Sequence, residues 1–338
     1  MNTTPLSFKT RAELWLAQWM QRFYALKPRV LEPGPQQQFY LFGNGAADKV
    51  PGLAARSIPR VIWAYWNGGT PPLLIQRCLE NWRIFNPDFA IHVLDDQSVS
   101  QHIPELPPEL QSLPVAKRSD WIRLELLRRY GGIWLDASTI LTESLEWVLH
   151  QQALTDADFI GFYLDRYTTD QRCPVVESWF MAAPAESRFI ADLQHEFTTE
   201  VIGRTGLEYI EHLQRRGVYE TVRQNIDIPE YLSIHLAMQV TLHSGRAYAM
   251  CLAKAEDGPF FLHVQGQWRR TPLKIRLMFS RIRHPVVPLI KLRNPDRKRL
   301  DLYLERGLYV RDSVAQRYLM PAPREAGGSQ AGPQGRDS

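Results

Sequence analysis

Three absences in the 338-residue sequence exclude several classes of protein. The three cysteines, Cys78, Cys173 and Cys251, lack the short Cys or His spacings of a zinc site. We therefore predict neither a zinc site nor a disulfide scaffold, but a reducing compartment. No apolar run approaches membrane-spanning length. Charged residues such as Lys9 and Arg11 interrupt the N-terminal apolar residues, so no signal peptide is predicted. The remaining composition is that of an ordinary globular protein with ten tryptophans.

The net charge of +4 hides an uneven distribution. Residues 269–311 contain 13 Lys and Arg against 3 Asp and Glu, a balance of +10, so the rest of the chain sums to −6. A basic segment on an acidic body predicts an anionic partner, either a membrane surface or nucleic acid. Apolar residues interleave with the basic ones, which favours the membrane surface. A solvated helical extension is the alternative.

The chain divides by composition into four parts. Residues 10–26 predict an amphipathic helix that either docks on the domain or lies in a membrane interface. Its apolar residues at helical spacing are Leu14, Trp15, Trp19, Phe23 and Leu26. Pro, Gly and Gln then predict a linker, which completes residues 1–57. The main domain is predicted over 58–268, a basic helical extension over 269–320, and a disordered tail over 321–338.

Strands and helices alternate along the main domain. The predicted strands are Val61–Trp66, Ala90–Leu94, Ile133–Leu135, Phe159–Leu164, Val176–Ala182 and Gly258–Val264. The predicted helices are Pro72–Phe85, Val115–Tyr130, Phe189–Thr199 and Tyr209–Gln224. This alternation is typical of the α/β class, with a mixed, mostly parallel sheet flanked by helices.

The segment SDWIRLELLRRYGGIWLDAS (119–138) has the strongest chemical signal. Its helix ends at a Gly-Gly step, and the short apolar strand that follows ends at Asp136. Ligands bind beyond the carboxyl ends of strands in open α/β sheets. An aspartate there suits a ribose hydroxyl or a hard cation such as Mg²⁺ or Mn²⁺. Capping of the next turn is the alternative.

The helix before that strand has two charges within its apolar arc. Asp120 and Arg123 lie one turn apart there, whereas Glu125 and Trp121 are predicted on the other side. Charged groups rarely face a core unless they are paired or in use. The pattern therefore predicts either a buried ion pair or a pair facing a ligand, with Asp120 accepting hydroxyls and Arg123 donating to hydroxyls or phosphate.

Four blocks, in order, resemble the capsular-polysaccharide-synthesis family of bacterial glycosyltransferases. They are IPRVIWAYWNGG (58–69), NWRIFNPDFAIHVLDD (81–96), SDWIRLELLRRYGGIWLDAS (119–138) and VVESWFMAAP (175–184). The resemblance covers roughly residues 58–264, and its SD-x-x-R…GG-x-W-x-D block is the most specific. It implies a GT-A fold and transfer of a sugar from a UDP- or GDP-sugar to a hydroxyl of a capsule or lipopolysaccharide precursor. Retention of configuration is suggested by analogy alone.

The resemblance also implies roles for single residues. Trp66, with Ala64 in the strand that leads to it, would bind the nucleotide base. Asp120 and Arg123 would contact the donor sugar. Asp136 would be the first aspartate of a DXD motif, near ribose and metal.

The third position of that motif departs from the wider group of DXD sugar transferases, because it is Ser138 rather than a second aspartate. Serine is a neutral, weaker ligand for a hard cation. A predicted Mn²⁺ or Mg²⁺ bound by Asp136 and Ser138 would therefore need a further ligand. His263 and Asp257 are the candidates, although a histidine beside aromatic residues is more often packed in the core.

The expected chemistry assigns further residues. Arg123, Arg118 or Lys117 would offset the charge of the leaving diphosphate. Glu177 is a candidate carboxylate on the acceptor side, with a solvated strand-edge position as the alternative. His235 is predicted to be a core histidine or to reach the donor phosphates.

The aromatic residues and the location of the protein allow alternatives. Trp63 and Trp179 would either stack on sugars or, more commonly for large aromatics, fill the core. We predict a cytoplasmic enzyme, with peripheral binding to the inner face of the cell membrane as a further expectation. A non-catalytic sugar-binding relative and a nucleic-acid-binding protein are the competing hypotheses; the latter ranks low because no nucleic-acid module is recognised.

Overall fold

The computed structural model describes residues 6–43 and 57–320. Strands β1 to β11 are Arg29–Val30, Phe39–Phe42, Val61–Tyr65, Ala90–Leu94, Gly132–Leu135, Thr139–Leu141, Phe159–Tyr163, Val176–Ala183, Met250–Lys254, Ser280–Arg281 and Leu289–Lys291. Helices α1 to α12 are Phe8–Leu26, Leu73–Phe85, Val99–His102, Val115–Tyr130, Glu146–Thr155, Arg188–Glu196, Gly206–Arg215, Tyr219–Arg223, Ser233–Leu242, Phe261–Gln265, Arg270–Lys274 and Leu300–Glu305.

A central sheet of seven strands has the order β2-β9-β7-β8-β5-β3-β4. Strands β4, β3, β5, β7 and β9 run in one direction, and β8 and β2 run against them. Successive residues of a strand face opposite sides, so Ile62 and Trp63 enter different apolar clusters, one on each side of the sheet. The predicted α/β class, with a mixed and mostly parallel sheet between helices, is confirmed.

Most predicted elements are present, but the last predicted strand is wrong. Residues 258–264 form a turn followed by α10, in which the backbone N–H of Val264 donates to the carbonyl of Phe260 at 3.0 Å. The predicted helix over 209–224 is divided into α7 and α8 at Gly217, whose φ of +71° ends a right-handed helix. Within the predicted linker, β2 pairs with β9 as an edge strand of the central sheet.

Helix α4 is buried on more sides than its sequence pattern predicts. It packs against both the sheet and α6, so Trp121 and Glu125, predicted on the outer side, are buried as well. The Glu125 carboxylate accepts hydrogen bonds from Arg128 at 2.7 Å and Gln194 at 3.0 Å, and it also pairs with Arg129. A buried charge is tolerated here because it is fully paired.

The basic C-terminal segment packs against the body of the protein. Its apolar residues share a cluster with α1 and α2, and β11 pairs antiparallel with β6. Six of its cationic residues form ion pairs with acidic groups: Lys274 and Arg299 with Glu13, Arg276 with Glu32, Arg283 with Asp312, Lys291 with Asp136, and Arg293 with Asp296. Much of the charge that predicted an anionic partner is thus neutralised internally. The predicted disordered tail, 321–338, lies outside the described residues.

Candidate active site

A cavity of about 1040 Å³ opens at the edge of the sheet where β3 and β5 end. Strand β8 runs antiparallel to β5, so its first residues reach the same edge. The cavity is lined by six of the predicted site residues: Trp66, Asp120, Arg123, Asp136, Ser138 and Glu177. The carboxyl ends of parallel strands are where an open α/β sheet binds ligands, so this cavity is the candidate site.

Arg123 is the centre of the site. Its guanidinium donates to the carbonyl of Ser178 at 2.7 Å and lies 3.2 Å from Asp120 Oδ1 and 3.4 Å from Asp136 Oδ1. The guanidinium carbon, Cζ of Arg123, lies 4.9 Å from the centre of the Trp134 ring. One buried cation therefore connects both predicted aspartates. The predicted Asp120–Arg123 ion pair is present, and both of its members line the cavity.

The two aspartates have opposite pKa shifts. Burial raises the pKa of Asp120 to about 6, against the nearby charges of Arg123 and His235, which lower it. Burial also acts to raise the pKa of Asp136, but the charges of Lys291 and Arg123 outweigh it, and the pKa of Asp136 lies below its ordinary value. Asp136 is thus a firmly held anion, whereas Asp120 takes up a proton in weakly acidic solution.

The ends of β5 and β11 meet at the aspartate. Lys291, the last residue of β11, donates through Nζ to Asp136 Oδ2 at 2.6 Å and lies 3.3 Å from Ser138 Oγ. The Ser138 hydroxyl donates to the carbonyl of Leu292 at 2.8 Å. Asp136 and Ser138 of the predicted DXD motif therefore form one polar cluster with Lys291 of the C-terminal segment.

The cavity lining also includes Glu177, on the strand next to β5, and His235, both buried. His235 Nε2 lies 3.5 Å from Glu177 Oε2, and His235 Nδ1 has no hydrogen-bond partner among the described residues. Trp179 also lines the cavity and stacks on Phe162, so it serves core and cavity together. A carboxylate and an imidazole therefore lie together in the cavity lining.

Other predicted site residues lie elsewhere. Ala64 is fully buried in the core beneath the sheet, while its neighbours Tyr65 and Trp66 line the cavity. Trp63 stacks on His92 and belongs to a buried apolar cluster, so it fills the core, the second of its two predicted alternatives.

The predicted metal ligand His263 points away from the cavity, since its Nε2 bonds Asp296 at 2.9 Å in the core. Because residues 258–264 form a turn and helix rather than a strand, its ring is directed inward. Asp257 is exposed and outside the cavity lining. Arg118 pairs with Asp96, and Lys117 bonds the carbonyl of Arg204, so neither lines the cavity.

Apart from Arg123, the cationic residues that line the cavity were missed from the sequence. Lys291 and Arg297 come from the C-terminal segment, and the Arg297 guanidinium lies 5.9 Å from the Trp66 ring centre. Arg293 and Arg166 both lie over the ring of Trp268. One signal was available: Lys291 interrupts the apolar run VVPLIKL, where a charge needs a partner.

Comparison with known proteins gives a consistent picture. The family described as "Capsular polysaccharide synthesis protein" matches residues 52–264. The O-glycosyltransferase braB of Annulohypoxylon truncatum is 31% identical over 123 residues, which cover 31% of this chain and 29% of that protein. The O-glycosyltransferase PaGT of Phomopsis amygdali is 30% identical over 141 residues, 36% of this chain and 34% of that one. The chain thus matches about a third of the length of these relatives.

Among solved structures, similarity is distant. The UDP-bound glycosyltransferase domain of the YGT toxin aligns with a TM-score of 0.30 and 10% identity, over 48% of this chain and 68% of that one. The galactosyltransferase LgtC, in complex with donor and acceptor sugar analogues, aligns with a TM-score of 0.32 and 13% identity. The alignment covers 58% of this chain and 74% of that one.

Proposed function

Because this chain belongs to the capsular polysaccharide synthesis protein family, we propose that it is a glycosyltransferase that moves a sugar from a nucleotide-sugar donor to a hydroxyl of a glycan acceptor. The observation that supports this most is the single cavity that contains Asp120, Arg123 and Asp136 at the carboxyl ends of β3 and β5. The curated relatives named O-glycosyltransferases agree with this activity. A capsule or lipopolysaccharide precursor is the acceptor we propose.

The donor would lie along the strand ends. Trp66 offers a ring face to the nucleotide base, and Asp136 an anionic acceptor for ribose hydroxyls. Arg297, over the Trp66 ring, is placed to bind the diphosphate of a UDP- or GDP-sugar. Asp120 and Arg123, deeper in the cavity, are the groups we assign to the donor sugar. All of these side chains line one continuous surface, so one extended ligand contacts them together.

The transfer step needs an acceptor hydroxyl beside the donor sugar. The acceptor hydroxyl oxygen bonds to the anomeric carbon while the bond from that carbon to the diphosphate oxygen breaks, and the nucleoside diphosphate leaves with the electron pair. The hydroxyl proton passes to Glu177 or to the departing phosphate. Glu177 faces His235 at 3.5 Å and lines the cavity, which suits it to the acceptor side. Retention at the anomeric carbon remains a prediction from analogy.

A panel of UDP- and GDP-sugars tests the proposal. At a free concentration 100 times its Kd, the correct donor should stabilise the protein by about 2.7 kcal/mol, measured as a rise in melting temperature. The same donor should be hydrolysed slowly, and hydrolysis should be lost in Asp136→Asn. If no nucleotide sugar shifts the melting temperature or is hydrolysed, the proposed function is wrong.

The competing hypotheses give different outcomes in the same experiment. A non-catalytic sugar-binding relative, motivated by Ser138 in place of a second aspartate, would be stabilised by a donor without hydrolysing it or transferring the sugar. A nucleic-acid-binding protein would show a salt-dependent complex with duplex DNA or RNA instead. The ion pairs of the C-terminal segment weigh against that second alternative, because they occupy six of its cations.

We further propose that the protein binds an anionic membrane surface through α1. At about 100° per residue, Leu14 and Ala17 face the body, whereas Trp15, Trp19 and Leu26 face outward on the opposite side. The apolar residues predicted to form one stripe on this helix are thus divided between a buried face and an exposed face. The exposed face contains the two tryptophans. Basic residues beside it, including Arg11 and Arg22, suit anionic headgroups. No helix in the described ranges is long and apolar enough to cross a bilayer.

Vesicle co-sedimentation at low salt tests this interface. Full-length protein should sediment with vesicles containing phosphatidylglycerol, and Trp15→Ser combined with Trp19→Ser should abolish sedimentation. Leu154→Ser with Leu207→Ser is the matched control, since these leucines are 66% and 64% exposed, against 66% and 54% for the tryptophans. Unchanged sedimentation of the tryptophan variant, or self-association through α1 without vesicle binding, would contradict the proposal.

A further inference from the structure

The ammonium of Lys291 lies between the side chains at the two ends of the predicted DXD motif. It bonds Asp136 Oδ2 at 2.6 Å and lies 3.3 Å from Ser138 Oγ, the side chains at the first and third positions of that motif. Lys291 is 6% exposed and lines the cavity. The positive charge next to the strand-end aspartate is therefore supplied by the chain itself.

Lys291 is fixed by the backbone as well as by its charge. Strand β11 pairs antiparallel with β6, with Lys291 opposite Thr139. The N–H of Leu292 donates to the carbonyl of Ser138 at 3.1 Å, and the Ser138 hydroxyl donates back to the carbonyl of Leu292. This two-way contact holds the lysine and the aspartate in one register, so the ammonium is part of a built site.

The donor set around Asp136 does not fit a divalent cation. Hard cations of this kind take about six oxygen ligands and prefer carboxylates. Here the single carboxylate accepts from Lys291 through Oδ2 and from Trp134 Nε1, at 3.1 Å, through Oδ1. Ser138 adds only a neutral hydroxyl, which is already engaged.

Side chains elsewhere in the protein do not complete this donor set. Within residues 6–43 and 57–320, the metal-ligating side chains that cluster in a group of three are Asp170, Cys173 and His243, none of which lines this cavity.

We propose that Lys291 takes the place of the divalent cation, so that the protein binds the nucleoside diphosphate group and uses its donor without added metal. The inference rests on the glycosyltransferase function proposed above. When the anomeric bond breaks, negative charge grows on the leaving diphosphate, and a fixed cation nearby stabilises it. An ammonium has three N–H donors. Asp136 and Ser138 account for two of them, and the third is left for a phosphate oxygen.

The test measures binding of UDP and of GDP to the EDTA-treated full-length protein by calorimetry, with and without excess Mn²⁺. The Kd of the nucleotide that binds should change by no more than about twofold with Mn²⁺, which is within 0.5 kcal/mol. Electron paramagnetic resonance should find no Mn²⁺ bound at the site. Lys291→Met should weaken nucleotide binding roughly tenfold to a hundredfold, as expected for loss of a charged hydrogen bond.

Two variants separate charge from folding. Lys291→Arg keeps the charge and should retain most of the binding lost in Lys291→Met. Lys298→Met is the matched control, because Lys298 is exposed and lies outside the cavity lining; its binding should equal that of the wild type.

The outcomes distinguish this inference from the function on which it rests. Nucleotide binding that requires Mn²⁺, or Mn²⁺ bound at the site, overturns the role of Lys291 and leaves the proposed glycosyltransferase function standing. Failure of both UDP and GDP to bind under either condition overturns the function, and the inference with it.

Discussion

Asp120→Asn should lower kcat for the nucleotide sugar identified by the donor panel by about 10²- to 10³-fold, the loss expected when one charge-stabilising group is removed from an active site. The substitution preserves the size of the side chain and removes its charge. Asp120 lines the cavity and lies 3.2 Å from Arg123. Its carboxylate is thus the anion we place nearest to the anomeric carbon, where positive charge develops during transfer.

The pKa of Asp120 gives this prediction a second readout. Burial raises the pKa of Asp120 from 3.8 to about 6, so wild-type kcat should rise with pH through about 6 as the carboxylate ionises. The folded state binds the Asp120 proton more tightly than the unfolded chain does, so the contribution of Asp120 to stability should fall as pH rises from 3.8 to about 6. Asp120→Asn should lack this pH dependence of kcat, and its stability relative to the wild type should increase from pH 4 to pH 7. Its melting temperature at pH 7 should be no lower than that of the wild type.

The matched control is Asp192→Asn. Asp192 is also half-buried and paired with an arginine, at 2.6 Å from Arg246, but it lies outside the cavity. Its kcat and pH profile should match those of the wild type. An Asp120→Asn variant with wild-type kcat would exclude Asp120 from the reaction.

Arg123→Leu should lower the free energy of unfolding by about 3–5 kcal/mol at pH 7, because removal of one partner leaves buried charge uncompensated. Arg123 is 5% exposed, and its guanidinium faces Asp120 and Asp136 and donates to the carbonyl of Ser178. Urea unfolding monitored by circular dichroism measures the loss. The loss of stability should shrink toward pH 4, since protonation of Asp120 removes one of the two charges left unpaired.

A second arginine on α4 provides the control. Arg129 pairs with Glu125, but Arg128 makes two further hydrogen bonds to that carboxylate, at 2.8 Å and 2.7 Å, and would remain. Arg129→Leu should therefore cost no more than about 1 kcal/mol. If Arg123→Leu is no more destabilising than Arg129→Leu, Arg123 does not compensate the two aspartates. Arg123→Lys keeps the positive charge but lacks the planar guanidinium with its several N–H donors. Its loss of unfolding free energy should therefore lie between those of Arg123→Leu and Arg129→Leu.

Local sequence patterns predicted the elements that position the site. Helix α4 has the predicted bounds, Val115–Tyr130, and ends at Gly131, whose φ of +65° suits glycine. Strand β4 also begins and ends where predicted, at Ala90 and Leu94. The i, i+3 spacing of Asp120 and Arg123 predicted their contact, because neighbours on a helix follow from its pitch alone.

One short apolar run, compatible with both a strand and a helix, was assigned incorrectly. The run GPFFLHV (258–264) has the aromatic residues typical of a strand, yet it forms a turn and α10. A short apolar run cannot be distinguished from a buried helix by periodicity, and tertiary packing decides between them. The error moved His263 from a predicted metal ligand to a core position beside Asp296.

Residues close together in the chain were enough to predict the α/β class, the Asp120–Arg123 pair and the aspartate at the end of β5. The surroundings of that aspartate depend on distant parts of the chain. Lys291 is separated from Asp136 by 155 residues, and backbone pairing between β11 and β6 brings them together. Such pairing leaves no periodic signal in the sequence, because backbone hydrogen bonds are common to all residue types except proline. The cation beside Asp136 is therefore a product of tertiary strand pairing, which no local pattern predicts.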